Sequence, residues 1–178
     1  MPLPLGACYT TCRGTVDNPP APVVHTNVYD DHGLPLPQND CVAMFSHIFV
    51  GVSDFDRTLR FYEPLMAALH IELRFCDRSR PWAGWQTTGG PRPLFLIGKP
   101  YDEKPPHPGN GHMVAFLAVD RASVRHAHQV ALANGGISDG EPGLRPEYHA
   151  NYYGAYFRDP DGNKLCVACH APEVEASA

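Results

Sequence analysis

The segment Cys166-Val167-Ala168-Cys169-His170 has the residue types and spacing of a covalent haem attachment motif, C-x-x-C-H. The motif is short enough to occur by chance, and haem attachment normally follows export, for which the chain shows no signal. The segment is expected to form a strand, in which residues three apart point to opposite faces. We therefore predict that Cys166 and Cys169 do not meet, and we expect no haem, disulfide or shared metal ion at this pair.

A second group of chemically capable side chains lies between Pro142 and Tyr153, in a loop expected before the last two strands. Loops that hold aromatic and charged residues without a structural need for them often bind ligands. With residues from the first half of the chain, this segment could line an aromatic, partly polar pocket for a small organic molecule. The alternative is that these aromatic residues only pack over the sheet edges. The residues assigned to the pocket are Trp82, Trp85, Arg92, Arg145, Tyr148, His149, Tyr152 and Tyr153.

A strand that runs directly into a helix, over residues 46–62, is the element expected to position these groups. Its first half is β-branched and aromatic, which predicts a buried strand beginning at His47. Ser53 or Asp54 can cap the helix that follows. Apolar residues then recur at helical spacing, at Phe55, Leu59 and Tyr62.

The same pattern recurs after a proline- and glycine-rich loop, with a strand at 113–119, Asp120 as helix cap, and Gly135-Gly136 ending the helix. His112, His126 and His128 share no helical face and are expected at the surface. Further strands are predicted at 69–75, 82–87, 93–99, 152–158 and 163–169. Asp159-Pro160-Asp161-Gly162 predicts a hairpin turn between the last two. The chain is therefore predicted to be α+β, with βαβββ occurring twice.

Composition excludes several classes of function. The 178 residues carry a net charge of −5 and no basic stretch, which argues against nucleic acid as a partner. No apolar run approaches the roughly 20 residues of a membrane helix, so no membrane partner is expected. Six cysteines without an export signal suggest reduced thiols in a cytoplasmic protein.

Domain boundaries follow from the proline distribution. Residues 1–43 are predicted to be a proline-rich arm, either disordered or a non-native extension, because Met44 would be a natural start. The folded domain is expected over 44–170, with modules at 45–100 and 111–170, and with 171–178 as a tail.

The paired modules resemble the vicinal oxygen chelate superfamily, which includes glyoxalase I, bleomycin-resistance proteins, fosfomycin-resistance enzymes and extradiol dioxygenases. The resemblance rests on residues 47–62, on 111–120, and on the Asp-Pro-Asp-Gly-Asn sequence at 159–163. It covers Phe45 to about His170. It implies two βαβββ modules forming a curled mixed sheet around a cleft, usually within a homodimer.

Members of this superfamily typically hold one divalent metal ion, and the resemblance places the four ligand positions on His47, Leu96, Met113 and Cys166. Leu96 cannot bind a metal ion, and the Met113 thioether is too soft for the usual hard ions. We therefore favour a metal-free cleft in which Leu96 and Met113 contact the ligand. The alternative is an irregular site of His47, His112 and Cys166, which needs a one-residue slip of a strand.

Two functions follow from the resemblance. The first is binding of a small organic molecule in a metal-free cleft, as in bleomycin-resistance proteins. The second is a glyoxalase-like lyase or isomerase, with a divalent metal ion at an irregular site or with none. In an enzyme, Cys166 could act as a nucleophile with His47 as its base. A structural relative without any ligand is the third possibility.

Overall fold

The computed structural model describes residues 44–86 and 90–173, so the predicted arm lies outside the described residues. Two βαβββ modules follow one another, as the sequence predicts. The first contains β1 (His47–Gly51), α1 (Phe55–Ala68), β2 (Glu72–Asp77), β3 (Trp82–Gln86) and β4 (Leu94–Gly98). The second contains β5 (Val114–Leu117), α2 (Arg121–Ala133), β6 (Ile137–Leu144), β7 (Tyr153–Arg158) and β8 (Lys164–Cys169).

Both helices begin at aspartate caps. The Asp54 carboxylate accepts a hydrogen bond from the Arg57 backbone N–H at 2.9 Å, and Asp120 accepts one from Ser123 at 2.7 Å. Each carboxylate thus satisfies an N–H group that has no partner inside its helix. Neither helix of the described residues is long and apolar enough to cross a membrane.

Each module forms its own four-stranded mixed sheet, in the orders β1-β4-β3-β2 and β5-β8-β7-β6. β1 pairs with β4, and β5 with β8, in parallel; the other pairs are antiparallel. The predicted α+β fold of two βαβββ modules is confirmed, and each module contributes one of the two mixed sheets. The two edge strands that could have joined them, β1 and β5, instead border a groove that is also lined by part of the linker, at 107–109.

The second module departs from the sequence prediction at two points. β6 extends to Leu144, so Pro142 belongs to a strand and not to the loop that was predicted. His128 is also buried, with 2% of its surface exposed, and its Nε2 lies 3.0 Å from the Ser138 hydroxyl. The prediction of a surface histidine was wrong because Val124, Ala127, His128 and Ala131 together form the buried stripe of α2.

A single hydrophobic core joins the two modules. The rings of Phe95 in β4 and Phe116 in β5 lie 5.0 Å apart, and those of Phe61 in α1 and Phe157 in β7 lie 6.3 Å apart. Both pairs belong to one continuous buried cluster between the helices and the sheets. Neither module is thus expected to bury its own apolar face without the other.

The turn between β7 and β8 is the predicted hairpin turn, and it also connects the modules. Asp159 is buried, with 1% of its surface exposed, and accepts a hydrogen bond from the Tyr62 hydroxyl of α1 at 2.9 Å. The Asn163 side chain donates to the Gly51 carbonyl of β1 at 3.2 Å. The turn therefore binds both the strand and the helix of the first module.

Asp161 makes the remaining contacts of this turn. Its carboxylate pairs with Arg57 at 2.9 Å, accepts a hydrogen bond from the Thr58 hydroxyl at 3.0 Å, and contacts the Ser53 hydroxyl. We call residues 159–163 the intermodule turn. The Asp-Pro-Asp-Gly-Asn sequence that supports the superfamily resemblance therefore has a structural role in this chain.

Candidate functional site

Each sheet packs one face, its inner face, against the helices and directs the other, its outer face, away from them. Strand alternation assigns residues to the two faces. In β1, Val50 belongs to the core whereas the neighbouring Phe49 is 45% exposed. In β8, Cys169 belongs to the core whereas Cys166 does not, so the two thiols lie on opposite faces as predicted. His47 and Cys166 therefore both lie on outer faces, in different sheets.

Three side chains form a compact group on the outer face of the second sheet. Tyr156 lies directly opposite Cys166 in the β7–β8 pair. The Tyr152 hydroxyl is 3.7 Å from the Cys166 sulfur. We call Tyr152, Tyr156 and Cys166 the tyrosine–thiol cluster. Ala115 of β5 lies beside Cys166 on the other side.

The tyrosine–thiol cluster is neutral at physiological pH. Burial raises the pKa of the Cys166 thiol above its usual value, and it also raises the pKa of Tyr152 and of Tyr156. The cluster therefore offers hydroxyl and thiol groups rather than a thiolate. This state disfavours Cys166 as a nucleophile. No hydrogen bond joins Cys166 to His47 in the described part of the chain; the His47 ring contacts the Ser46 hydroxyl at 3.3 Å.

Alkylation should distinguish the cysteines of the folded domain. Cys76 is exposed, whereas Cys166 is buried and its pKa is raised. Because only the thiolate reacts, iodoacetamide near neutral pH should modify Cys76 at least about tenfold faster than Cys166. Peptide mass spectrometry after timed alkylation measures both rates, and full modification in urea is the control for access. Equal rates in the folded protein would show that Cys166 is an accessible thiolate.

Two histidines stack beside the cluster. His149 Nε2 lies 2.8 Å from His170 Nδ1, and the rings are nearly parallel, with centroids 5.1 Å apart. The Asn151 backbone N–H donates to His149 Nδ1 at 3.2 Å, so the hydrogen-bond network assigns the proton of neutral His149 to Nε2, which donates to His170. Both rings contact the edge or face of Tyr152. The pair can therefore accept or donate a proton next to the tyrosine–thiol cluster.

The outer face of the first sheet is aromatic and apolar. The rings of Phe75 and Trp82 lie 4.6 Å apart, and the Arg80 guanidinium lies 5.4 Å from the Trp82 ring. A Cβ atom on Gly84 would lie 2.6 Å from both Leu96 and Phe75, so this glycine makes room for them. Within the described residues, the buried Trp82 Nε1 has no acceptor. A ligand oxygen could supply one.

A groove of about 420 Å³ lies between the two outer faces. Its walls come from β1, the segment between β4 and β5, the start of β5 and the start of β8, and they include Phe49, His107, Met113 and Lys164. Met113, predicted to contact a ligand, lines this groove. The groove combines apolar walls with imidazole and ammonium groups, as sites for small organic molecules often do.

The donor set does not fit the divalent metal ion that the resemblance implies. Such an ion needs three or four ligands. Over 44–86 and 90–173, no three His, Cys, Asp or Glu side chains lie close enough to hold one. Of the irregular triad, His47 contacts Ser46, His112 packs against Gly109, and Cys166 is a protonated thiol.

The structure separates three predicted pocket residues from the others. Trp85 is 1% exposed and packs on the inner face against Tyr62. Tyr153 also lies on the inner side, beneath the Arg121 guanidinium at 5.3 Å. Arg92 is exposed in the turn before β4. Strand alternation explains the first two. Trp85 lies three residues after Trp82 and Tyr153 one residue after Tyr152, and an odd separation along a strand places two side chains on opposite faces.

Three residues of the site were missed from the sequence: Tyr156, Lys164 and His170. Steps of two residues along β8 from Cys166 reach Lys164 in one direction and His170 in the other. Tyr156 follows from the register of the predicted hairpin, because it lies opposite Cys166. The period-two rule, applied to the strands already predicted, would have found all three.

Comparisons with known proteins agree with this architecture. The family model described as Glyoxalase/Bleomycin resistance protein/Dioxygenase superfamily matches residues 44–167. A glyoxalase/bleomycin resistance protein from Albidiferax ferrireducens T118 is 34% identical, with a TM-score of 0.64, over 71% of this chain and 99% of that chain. Comparison with curated protein sequences found no match.

Two further crystal structures share the fold at lower identity. One is a glyoxalase/bleomycin resistance protein/dioxygenase family enzyme from Burkholderia phytofirmans PsJN, 17% identical, with a TM-score of 0.56 over 71% of this chain and 98% of that chain. The other is a glyoxalase-related enzyme from Fulvimarina pelagi, 18% identical, with a TM-score of 0.56 over 76% and 96%. The chain belongs to the glyoxalase/bleomycin resistance protein/dioxygenase superfamily.

Proposed function

We propose that this protein binds a small organic molecule over its outer faces, without a metal ion held by its own side chains. The tyrosine–thiol cluster is the observation that carries the proposal. Its two tyrosines are half-buried and uncharged, and the Tyr152 hydroxyl lies against the buried Cys166 thiol, which suits hydrogen bonding of the tyrosine hydroxyls to a polar group on an otherwise apolar molecule. The Trp82–Phe75 stack supplies a second aromatic surface. Membership of the superfamily supports the proposal, and the donor set argues against a metal-dependent version.

A second copy of the chain is proposed to complete the cleft. Several large apolar side chains along β1 and β5 are exposed: Phe49 by 45%, Met113 by 44%, Leu117 by 72% and Val119 by 76%. Apolar surface that lies together in this way usually marks an interaction site. The homodimer implied by the resemblance is therefore kept as part of the proposal, with the outer faces as its expected contact surface.

A metal-free lyase or isomerase is the second candidate function. The hydrogen-bonded pair of His149 and His170 favours it, because an imidazole with an assigned tautomer can move a proton on a bound molecule. In that case His170→Gln should abolish turnover while leaving ligand affinity within about threefold. If His170→Gln loses affinity and the unaltered protein shows no detectable turnover, the binding function alone is favoured.

Ligand binding can be tested by thermal unfolding in the presence of small aromatic and polar compounds. A compound at about 100 times its Kd should stabilise the protein by about 2.7 kcal/mol, which raises the Tm by several degrees. The double variant Tyr152→Phe, Tyr156→Phe keeps both rings and removes both hydroxyls. It should lower the affinity for such a compound by about tenfold or more.

Tyr153→Phe is the matched control, because Tyr153 lies on the inner side of the same strand. It should leave the affinity unchanged. The proposal fails if no compound in a diverse set raises the Tm, or if the double variant binds as tightly as the control.

A further inference from the structure

Arg145 is the first residue after β6 and lies at the base of the loop that leads to β7. Its backbone N–H donates to the Tyr152 carbonyl at 2.8 Å, which closes the loop. Its guanidinium turns back and donates to the carbonyls of Leu144 at 3.0 Å and Glu141 at 2.8 Å. These two bonds hold the side chain, and the remaining N–H groups of the guanidinium are left for another acceptor.

The held guanidinium lies beside the tyrosine–thiol cluster. It is 5.5 Å from the centre of the Tyr156 ring, in a cation–π contact. Burial raises the pKa of Cys166, and the positive charge of Arg145 opposes that effect, so its field reaches the thiol. Arg145 thus provides a fixed positive charge at the edge of the neutral tyrosine–thiol cluster.

Gly143 makes this position possible. A Cβ atom on Gly143 would lie 2.8 Å from Nη1 of Arg145. Any larger residue would therefore push the guanidinium away from the carbonyls that hold it. Because Gly143 in β6 has no side chain, it leaves the space that the Arg145 guanidinium occupies.

The charge of Arg145 is not compensated by a nearby acid. Within the described residues, no carboxylate oxygen lies within 4.0 Å of its guanidinium. Lys164, the other cation that faces Tyr156, differs in this respect, because its ammonium pairs with Asp139 at 3.1 Å. Asp139 also pairs with Arg158 at 3.2 Å. Arg145 is therefore the cation of this surface that is available to an anion from outside.

We propose that Arg145 recognises the carboxylate of an aromatic organic acid whose ring lies beside Tyr152. A guanidinium is planar and donates two parallel hydrogen bonds to a carboxylate, and one already fixed by the backbone loses little entropy on binding. This inference rests on the proposed function, and it names the ligand class that the outer face selects.

The test compares an acid with its neutral analogue. Phenylacetate and phenylacetamide, and 3-phenylpropionate with its amide, are titrated into the full-length protein at low and at moderate salt by calorimetry. The acid of each pair should bind at least about tenfold more tightly than the amide, and the difference should shrink as salt is added. Arg145→Gln should abolish the preference, and Arg145→Lys should keep part of it.

Gly143→Ala provides a variant in which the arginine is present but displaced, and it should also weaken the preference. Circular dichroism confirms that each variant is folded. If acid and amide bind the unaltered protein equally, or if the preference survives in Arg145→Gln, the carboxylate proposal is overturned while small-molecule binding stands. If the protein binds only compounds that are not aromatic acids, the carboxylate proposal is likewise overturned and small-molecule binding stands. If nothing binds, both proposals fail.

Discussion

Replacing Asp159 with alanine is expected to lower the free energy of unfolding by about 3 kcal/mol or more. The Asp159 carboxylate is buried and accepts four hydrogen bonds. Oδ1 accepts from the backbone N–H groups of Asp161 and Asn163, each at 2.9 Å. Oδ2 accepts from the Tyr62 hydroxyl at 2.9 Å and the Asn163 amide at 2.8 Å. Alanine leaves these donors without acceptors, and urea unfolding followed by circular dichroism measures the loss.

Tyr62→Phe is the control for this prediction, because it removes one hydrogen bond and keeps the ring. It should cost about 1 kcal/mol. Equal losses in Asp159→Ala and Tyr62→Phe would show that the intermodule turn depends on this one contact rather than on the whole carboxylate network.

The same carboxylate should make stability depend on pH. Burial raises the pKa of Asp159 above its usual value of 3.8, so the folded state holds this proton more tightly than the unfolded chain does. The resulting stabilisation is fully present below about pH 3.8 and is lost as the pH rises through the folded pKa. Asp159→Asn cannot titrate. The stability of the unaltered protein relative to Asp159→Asn should therefore decline as the pH rises above about 4.

Replacing Gly136 with alanine is expected to cost about 3 kcal/mol, through overpacking rather than through backbone conformation. Its Cβ atom would lie 2.8 Å from the Ala131 carbonyl oxygen, 2.9 Å from the Phe61 ring and 3.1 Å from the Arg158 carbonyl oxygen. Two of these neighbours are backbone atoms of α2 and β7, which cannot move without displacing their elements. Thermal unfolding measures the effect.

Gly90→Ala is the matched control. Among the described residues, a Cβ atom there would meet the Arg92 carbonyl oxygen alone, at an ordinary 3.6 Å. Its effect should stay within about 0.5 kcal/mol. A Gly136→Ala variant as stable as Gly90→Ala would mean that α2 and β6 can separate without loss, contrary to the tight packing at this point.

Local sequence signals predicted the modules well. The caps at Asp54 and Asp120, and the turn at 159–162, depend on residues close together in the chain, and all three are found. Alternation along β8 likewise placed Cys166 and Cys169 on opposite faces. Such signals act over a few residues, so one sequence is enough to read them.

Features that depend on distant parts of the chain were harder to predict. The local sequence of β1 and of β5 predicts each strand but does not predict whether the two pair with each other. Trp82 and Trp85 looked like one aromatic group until strand register assigned Trp85 to the core. His128 was misplaced because it was judged by whether it shares a helical face with His112 and His126, and its own position on the apolar stripe of α2 was not considered.

The candidate site was only partly predicted for a related reason. Tyr152, His149 and Arg145 were chosen because they are aromatic or charged in a segment expected to be a loop, and they do meet on the outer face. Their partners Tyr156 and His170 lie in or directly after strands, where composition alone gives no reason to prefer them. Register across the hairpin supplies that reason.

The irregular outermost strands of the two sheets have a consequence for aggregation. β2 shifts register between Leu73 and Phe75, and β6 shifts twice between Ser138 and Gly143 and contains Pro142. A regular, unpaired edge strand could pair with a strand of another chain and start a fibril. Bulges and a proline, which has no N–H to donate, make both edges poor templates. At high concentration this protein should therefore resist amyloid-like growth from these two edges.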